Sequence, residues 1–459
     1  MIFSELTYHR NSAELFESVA AEPWNVFLDS GWPASDQGRY DIFAARPRTT
    51  LLTTGGETLI TSGAVTTRST QDPFALVREA LGPVVQNLSG IPFCGGALGY
   101  FAYDLGRRIE SLPATARRDV DLPEMAIGIY DWAVVVDHHK RRSWLVGQER
   151  DPATARHWRE LEQLFRAPPP ARLPRFTVLS DVCSNMDREA YTDAFDRIQH
   201  YIREGDCYQV NLAQRFEVDV EGDGWDIYLS MRKSNPAPYA AFLRLPQGSV
   251  LSCSPERFLN VVDGRVETKP IKGTIHRSAY AYEDKALAAK LLESEKDRAE
   301  NLMIVDLLRN DIGKNCRIGS VAVPKLCALE SFATVHHLVS TVTGRLAPGR
   351  DALDLLRGCF PGGSITGAPK LRAMQIIEEL EPHRRSVYCG AIGYLGFDGN
   401  MDTNIAIRTA LHCDGKIRYW AGGGIVADSR ADLEYEECFA KAVAALRLFE
   451  RKAASSVGR

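Results

Sequence analysis

Val261-Val262 and Val266–Thr268 flank an Asp263-Gly264 pair, and no other short stretch of the chain restricts its fold so strongly. Asp-Gly between apolar β-formers is a two-residue hairpin turn, because both positions must take positive φ. The outgoing arm, Val250–Leu259, carries Glu256, and the returning arm carries Pro270-Ile271-Lys272. A carboxyl and an amine delivered to one spot by neighbouring strands suit an acid-assisted nucleophilic substitution. A strict two-residue turn pairs 256 with 271 and leaves Glu256 and Lys272 on opposite faces. The chemical reading therefore requires a bulge or kink, for which Pro255 or Pro270 is placed. The alternative is a surface hairpin whose Lys makes ordinary salt bridges.

The remaining chain is that of a globular protein. At 459 residues, 45% hydrophobic and 25% charged, it is long enough for about three ordinary domains or a merged α/β fold. A net charge of −4 and a pI near 6.2 give no basic field for nucleic acid. No apolar run nears the ~18 residues of a membrane span. The N-terminus has early charge and no apolar core of a signal peptide. Ten scattered cysteines, with no C-x-x-C and no zinc spacing, read as buried thiols in a reducing cytoplasm.

The first third reads as strand-rich, with strands over Trp24–Leu28, Tyr40–Ala45, Leu51–Thr61 (folded about Gly55-Gly56), Ala126–Asp137 and Trp144–Val146. Asp72–Gln86 reads as a helix. Gly95–Tyr100 is glycine-rich but lacks a βαβ frame and an acidic residue ~20 positions on, so close packing explains it better than a dinucleotide. Arg166–Pro174 is the one evident linker, giving a strand-rich region over 1–170, a linker over 171–184 and a catalytic region over 185–459, the two regions expected to interleave. Beyond it, Met186–Arg203 is an amphipathic helix, Cys207–Val218 a strand, and 282–310 one long helix. Pro369 opens a helix to Glu381, Val387–Tyr394, Ile405–Cys413 and Ile417–Ala421 are strands, and a last helix runs from near Ser429, with Asp432 in capping-box relation, to about Arg451.

Glu434, Glu437 and Lys441 fall at i, i+3 and i+7 of that last helix, on one face. Two carboxylates a turn apart, with Glu300 of the 282–310 helix, could hold a hard cation such as Mg²⁺. A solvated acidic face with an intrahelical salt bridge explains the same spacing. Gly362–Lys370 (GGSITGAPK) could present backbone N–H groups to an anion, although it is not a Walker A loop. Ala421–Ile425 (AGGGI) is a second such stretch. Tight backbone packing is the alternative for both. Arg408 and His337 are further polar candidates, a His in apolar company more often being a satisfied core residue.

Gly205–Leu212 (GDCYQVNL), Ser254–Phe258 (SPERF), Pro270–Thr274 (PIKGT), Asp297–Asn301 with Asp306–Gly313, Pro361–Lys370, Ile407–Thr409, and Ala421–Ser429 with its following Glu-x-x-Glu-x-x-x-Lys occur in one order. With these motifs the C-terminal two thirds resembles the chorismate-utilising enzymes, which include anthranilate, isochorismate, salicylate and aminodeoxychorismate synthases. The resemblance implies an α+β fold, a large two-subdomain sandwich of mostly antiparallel sheets with helices outside and substrate between. Relatives that add water have Lys where Gln209 stands, and Gln has no basic form. Anthranilate synthases have Ala where Lys272 stands, whereas a Lys is what the 4-aminating branch shows. The implied activity is conversion of chorismate and ammonia to 4-amino-4-deoxychorismate, on the way to p-aminobenzoate and folate. Anthranilate synthesis is the alternative; an inactive amino-acid-binding subunit and a pyridoxal phosphate enzyme fit less well.

The resemblance also assigns roles. Lys272 adds to C2 while Glu256 protonates the leaving C4 hydroxyl. Glu300 and Glu437, with Glu434 close or through water, hold Mg²⁺. Arg408, Tyr388 and the amides near Gly422 and Gly424 hold the enolpyruvyl carboxylate, with Lys441 adding charge. Thr366, Gly367 and His337 line the ring, and Gln209 and Thr274 complete the substrate set. No glutaminase-like Cys motif stands out before the chain ends at 459, so a separate glutamine amidotransferase is expected to supply ammonia, and no fused lyase is expected. Family members carry an amino-acid pocket, holding tryptophan in anthranilate synthases. Phe27–Ser30 and Asn235–Tyr239 match its motifs loosely, with Asp29 in place of Glu, and mark Ser30, Pro238 and Tyr239 as a possible tryptophan pocket.

Overall fold

The computed structural model describes residues 1–35, 38–170, 173–331 and 335–451. Two large antiparallel sheets face each other. In the 13-stranded sheet the main path runs Ile2–Leu6, Arg142–Gly147, Trp132–Asp137, Tyr40–Ala44, Asn25–Asp29, Tyr239–Leu245, Gly248–Ser254, Thr409–Cys413, Lys416–Ile425, Gln209–Gly222 and Phe176–Val178. In the 12-stranded sheet it runs Ile271–His276, Val335–Arg345, Arg265–Thr268, Arg257–Val262, Met401–Ile405, Ala391–Gly396, Gly96–Phe101, Met125–Tyr130, Thr49–Thr54, Glu57–Ser62 and Val65–Ser69. Each sheet joins strands of the first third to later ones, through Asn25–Asp29 beside Tyr239–Leu245 and Gly96–Phe101 beside Ala391–Gly396.

The strands are apolar on both faces because both are covered. Val26, Ile42, Val135, Leu243, Val250 and Leu411 point into the core between the sheets. Their neighbours Phe27, Phe43, Val134, Phe242, Leu251 and Ala410 point the other way, onto an outer layer with Phe16, Trp225, Tyr228 and Phe165. That is the two-residue side-chain alternation of a strand feeding two cores at once.

Several expected elements divide where the chain changes sheet. The run 126–137 breaks at Asp131, its halves lying in different sheets, and 405–413 breaks in the same way before Thr409. The outgoing arm of the central hairpin breaks at Pro255-Glu256. The hairpin itself forms as expected, with Asp263 and Gly264 at φ 50° and 71° and Val262 opposite Arg265. The returning arm bends at Lys269-Pro270, and Ile271–His276 pairs with Val335–Arg345 instead of with Arg257–Val262. The long helix expected over 282–310 is two helices, Ala281–Glu293 and Glu295–Gly313, because Ser294 leaves helical geometry and caps the second by accepting from the Asp297 amide at 3.3 Å. Pro369 precedes the helix Lys370–Leu380 and is not its first residue. The last helix is Ala431–Leu448, and Ser429 does not cap it.

Of the stretch expected as linker, 171–172 lie outside the described residues, as do 452–459 of the catalytic region. Phe176–Val178 and Cys183–Ser184 are stitched onto Gln209–Gly222. Gly96–Phe101 lies mid-sheet, and a Cβ at Gly99 would stand 2.0 Å from the Ala126 carbonyl oxygen, so close packing accounts for these glycines. All ten cysteines are free thiols and only Cys183 is exposed. Among the described residues no helix is long and apolar enough to cross a membrane.

Candidate active site

Two of the links between sheets lie against each other. The Glu256 carbonyl accepts from the Ile405 amide at 3.0 Å, the Arg408 carbonyl from the Cys253 amide at 3.0 Å, and the Ser254 hydroxyl donates to the Ile405 carbonyl at 2.6 Å. Glu256 and Arg408 are thus held at one seam, and Arg408, expected inside a strand, instead sits at φ 50° in the bend. Its Nη1 donates to Asn235 Oδ1 at 3.3 Å.

Lys272 reaches the same place from Ile271–His276, which pairs with Val335–Arg345 beside Arg265–Thr268, while Ala322–Ser331 pairs with the opposite edge. The register of Ile271–His276 shifts between Lys272 and Thr274, where Gly273 takes φ 73°. A second shift, between Arg257 and Leu259, follows Glu256. These are the irregularities needed to bring the two side chains onto one face. The Lys272 ammonium donates to the Ser364 carbonyl at 3.4 Å, and the Ser364 hydroxyl donates to Glu256 Oε1 at 3.0 Å. Burial pushes the Glu256 carboxyl up to about 7, against the opposing pull of Lys272, the Ser364 hydrogen bond and Lys441. Burial also lowers Lys272, outweighing Glu300 and Glu256, while Lys441 adds repulsion.

Glu300 lies one turn inside Glu295–Gly313. The neighbouring Asn301, fully buried, anchors that helix by donating to the Leu338 carbonyl at 3.4 Å and accepting from the Ser340 hydroxyl. Glu434 and Glu437 come from the last helix. The Ser429 hydroxyl donates to Glu434 Oε1 at 2.7 Å, and Lys441 pairs with Glu437 at 2.6 Å while donating to the Gly422 carbonyl at 2.9 Å. Lys296 stands 3.9 Å from both Glu300 and Glu434. Burial raises Glu300 and Glu434. Glu437 is lowered, because Lys441 and Lys296 outweigh its burial.

Among the described residues no three His, Cys, Asp or Glu groups converge as a finished metal cage. The donor set nonetheless suits a hard cation. It is all carboxylate, half desolvated and mutually repelling, with lysines between its members, and Gly423 leaves the room that a Cβ would take 3.0 Å from Glu434 Oε2 and 3.8 Å from Glu437 Oε1. The intrahelical Glu437–Lys441 salt bridge is present as well.

The glycine-rich segment is a short 3₁₀ turn, Gly363–Ile365, followed by Gly367-Ala368 paired with Gln209-Val210. The Thr366 hydroxyl donates to the Gly362 carbonyl at 3.0 Å and shapes the loop itself. Lys370 points away, to Asp311 at 2.6 Å and the Cys359 carbonyl at 2.7 Å. Gly422 and Gly424 lie within Lys416–Ile425, opposite Ala213 and Asn211. Gln209 is fully buried, neither amide atom has a partner among the described residues, and a Cβ at Gly424 would come within 2.6 Å of its Nε2. Thr274 Oγ1 and His337 Nδ1 are 2.7 Å apart, and burial with Arg408 repulsion brings His337 down to about 4, so it is a neutral imidazole at pH 7. Tyr388 is buried, stacked on Trp420 at 6.1 Å beneath Arg385.

Glu256, Lys272, Glu300, Glu434, Glu437 and Lys441 therefore form one electrostatic cluster, with Arg408, His337 and Thr274 linked to one another beside the seam. Ser364, Lys296 and Ser429 were not singled out by the sequence reading. Ser364 lay within the GGSITG stretch but carried no periodicity, and Ser429 resembled a helix cap.

A family model described as chorismate binding enzyme matches residues 30–447. The chain belongs to the chorismate binding enzymes. It is 48% identical over 450 residues to aminodeoxychorismate synthase component 1 of Escherichia coli (strain K12), covering 97% of this chain and 98% of that one. To the protein of the same name from Klebsiella aerogenes it is 50% identical over 440 residues, 95% of this chain and 96% of the relative. Among chorismate binding enzymes of known structure, anthranilate synthase component I from Streptococcus pneumoniae TIGR4 superposes with a TM-score of 0.81 at 34% identity, covering 90% of this chain and 92% of that one. The two-sheet sandwich with outer helices is the fold these enzymes share.

A cavity of about 160 Å³ lies between the sheets and is lined by Ser30, Arg39, Pro238, Tyr239, Tyr394 and Asp402 among others. It contains the three residues marked as an amino-acid pocket. Asp29, where relatives of the resemblance have Glu, accepts from the Tyr228 hydroxyl at 2.8 Å and from the Arg232 guanidinium.

Proposed function

We propose that this chain is the aminating component of an aminodeoxychorismate synthase, converting chorismate and ammonia to 4-amino-4-deoxychorismate and water. The observation that carries the reading is a partly desolvated Lys272 sharing Ser364 with an acid whose carboxyl keeps its proton to about pH 7. Identity near 50% to relatives of that name supports it.

Neutral Lys272 attacks C2, the ring double bond shifts, and the C4 hydroxyl departs as water with the proton of Glu256. The secondary ammonium on Lys272 then returns a proton to Glu256. Ammonia attacks C4, the double bond shifts back, and Lys272 leaves C2 as a neutral amine with the proton that Glu256 returns to it; the C4 ammonium then gives a proton back to Glu256, and the enolpyruvyl group is retained. Glu300, Glu434 and Glu437 would hold Mg²⁺, which supplies positive charge against the ring carboxylate when bound. Arg408, Tyr388, Lys441 and the amides near Gly422 and Gly424 hold the other carboxylate. Gln209, Thr274, neutral His337, Thr366 and Gly367 line the ring. Ammonia comes from a glutamine amidotransferase partner, and the reaction runs in the cytoplasm, in keeping with ten free thiols. The cavity between the sheets takes an amino acid such as tryptophan against Ser30, Pro238 and Tyr239.

The test is incubation with chorismate, Mg²⁺ and ammonium, followed by mass and chromatographic identification of the product. A 4-amino product supports the reading. An ortho-aminobenzoate product would assign the chain to anthranilate synthesis, the reading that Lys272 disfavours.

A further inference from the structure

Ser364 hydrogen-bonds both reacting groups. It lies in the Gly363–Ile365 turn, buried, with its hydroxyl donating to Glu256 Oε1 at 3.0 Å and its carbonyl accepting from Lys272 Nζ at 3.4 Å. The turn has little freedom. Arg385 Nη1 donates to the Ile365 carbonyl at 2.9 Å, Arg385 is paired at 2.6 Å with buried Glu381, and a Cβ at Gly363 would meet Leu307 at 2.4 Å. A serine hydroxyl has one proton to donate, and here it goes to the carboxyl.

We infer that Ser364 is a positioning residue for the amination, its hydroxyl fixing the Glu256 carboxyl and its carbonyl steering the Lys272 amine toward the same ring face. The inference rests on the reading under Proposed function. A carboxyl held on one oxygen by a rigid donor keeps the other oxygen for the departing hydroxyl, and the carbonyl has no proton to compete for the attacking lone pair. The charged groups facing Glu256 are Lys272 from the edge strand and Lys441 from the last helix, with the Cys389 thiol also near. Ser364 is the neutral donor among them. A hydrogen bond donated to a carboxyl favours its ionised form, so losing the hydroxyl raises the pH at which Glu256 gives up its proton.

The experiment uses the full chain with Mg²⁺, chorismate and ammonium, comparing Ser364→Ala and Ser364→Thr with the unaltered protein across pH. Ser364→Ala is expected to lower kcat roughly tenfold, the scale of one net hydrogen bond, with KM for chorismate little changed and one limb of the pH–rate profile displaced to higher pH. Ser364→Thr, which keeps the hydroxyl, is expected to return that limb to its original position. A change in KM alone, an unmoved profile, or a Thr variant no different from Ala would overturn the inference while leaving the reaction assignment standing. Absence of 4-amino product from the unaltered chain would overturn both.

Discussion

Glu256 and Lys272 both lean on Ser364, one against its hydroxyl at 3.0 Å and the other against its carbonyl at 3.4 Å. The proposed acid and nucleophile are thereby held to a common neighbour while belonging to different structural parts, a link between sheets and an edge strand. The separation makes their contributions open to independent tests.

Lys272→Ala should abolish amination, a loss of at least ~10²-fold with ammonium as nitrogen source, because it removes the proposed nucleophile. Circular dichroism and thermal unfolding should be unchanged, since the side chain's hydrogen bond is a long one, 3.4 Å to the Ser364 carbonyl. Unimpaired turnover would rule out the covalent route.

Glu256→Gln should cost about 10²–10⁴-fold in kcat, the usual range for a positioned acid. On the proposed route the active state carries one proton across the Glu256–Lys272 pair, with the carboxyl holding it. Glu256, raised to about 7, loses its proton as pH climbs through that value, and the fully protonated pair at low pH has no free amine. A bell-shaped profile with one limb near pH 7 is expected, its two values belonging to the pair. A flat profile between pH 6 and 8 would count against the pairing.

Lys296 lies between Glu300 and Glu434, so it opposes a cation there. Lys296→Met should tighten Mg²⁺ binding several-fold, and Glu437→Gln should weaken it by at least tenfold, both measured by calorimetric titration of the full chain. Equal affinities in all three proteins would remove these carboxylates from the metal site.

Arg385→Met leaves Glu381 buried and without its cation, its remaining hydrogen bond among the described residues being from the Ala213 amide at 2.9 Å. Breaking such a pair typically costs about 3–5 kcal/mol, so a marked fall in the urea midpoint is expected. An unaltered midpoint would show that the ion pair, whose Arg385 also donates to the Asn211 carbonyl at 2.9 Å, does not stabilise the fold.

Local chemistry written in neighbouring residues was legible before any coordinates. The Asp263-Gly264 turn, the Glu434–Glu437–Lys441 face and the amphipathic helix before Gly205 follow from spacing alone. Changes of sheet were not. Val250–Leu259 and Ala126–Asp137 are apolar throughout, because every face they meet is covered, so hydrophobicity cannot mark where one sheet ends. Pro255 was the only hint of a break near Glu256. Ser294 splits a helix whose apolar pattern runs on through it, and Ser429 mimics a cap while its hydroxyl serves Glu434. Ser364 escaped notice because its value comes from two partners about a hundred residues away on either side of a fold.

The edge position of Ile271–His276 has an evolutionary reading. The proposed acid is welded into the join of the molecule, where substitution disturbs both halves, whereas the proposed nucleophile stands on a short strand paired on one edge alone among the described residues, where one side chain can be exchanged with little structural penalty. A scaffold arranged in this way can acquire or discard a covalent step by a single codon change and keep everything beneath it.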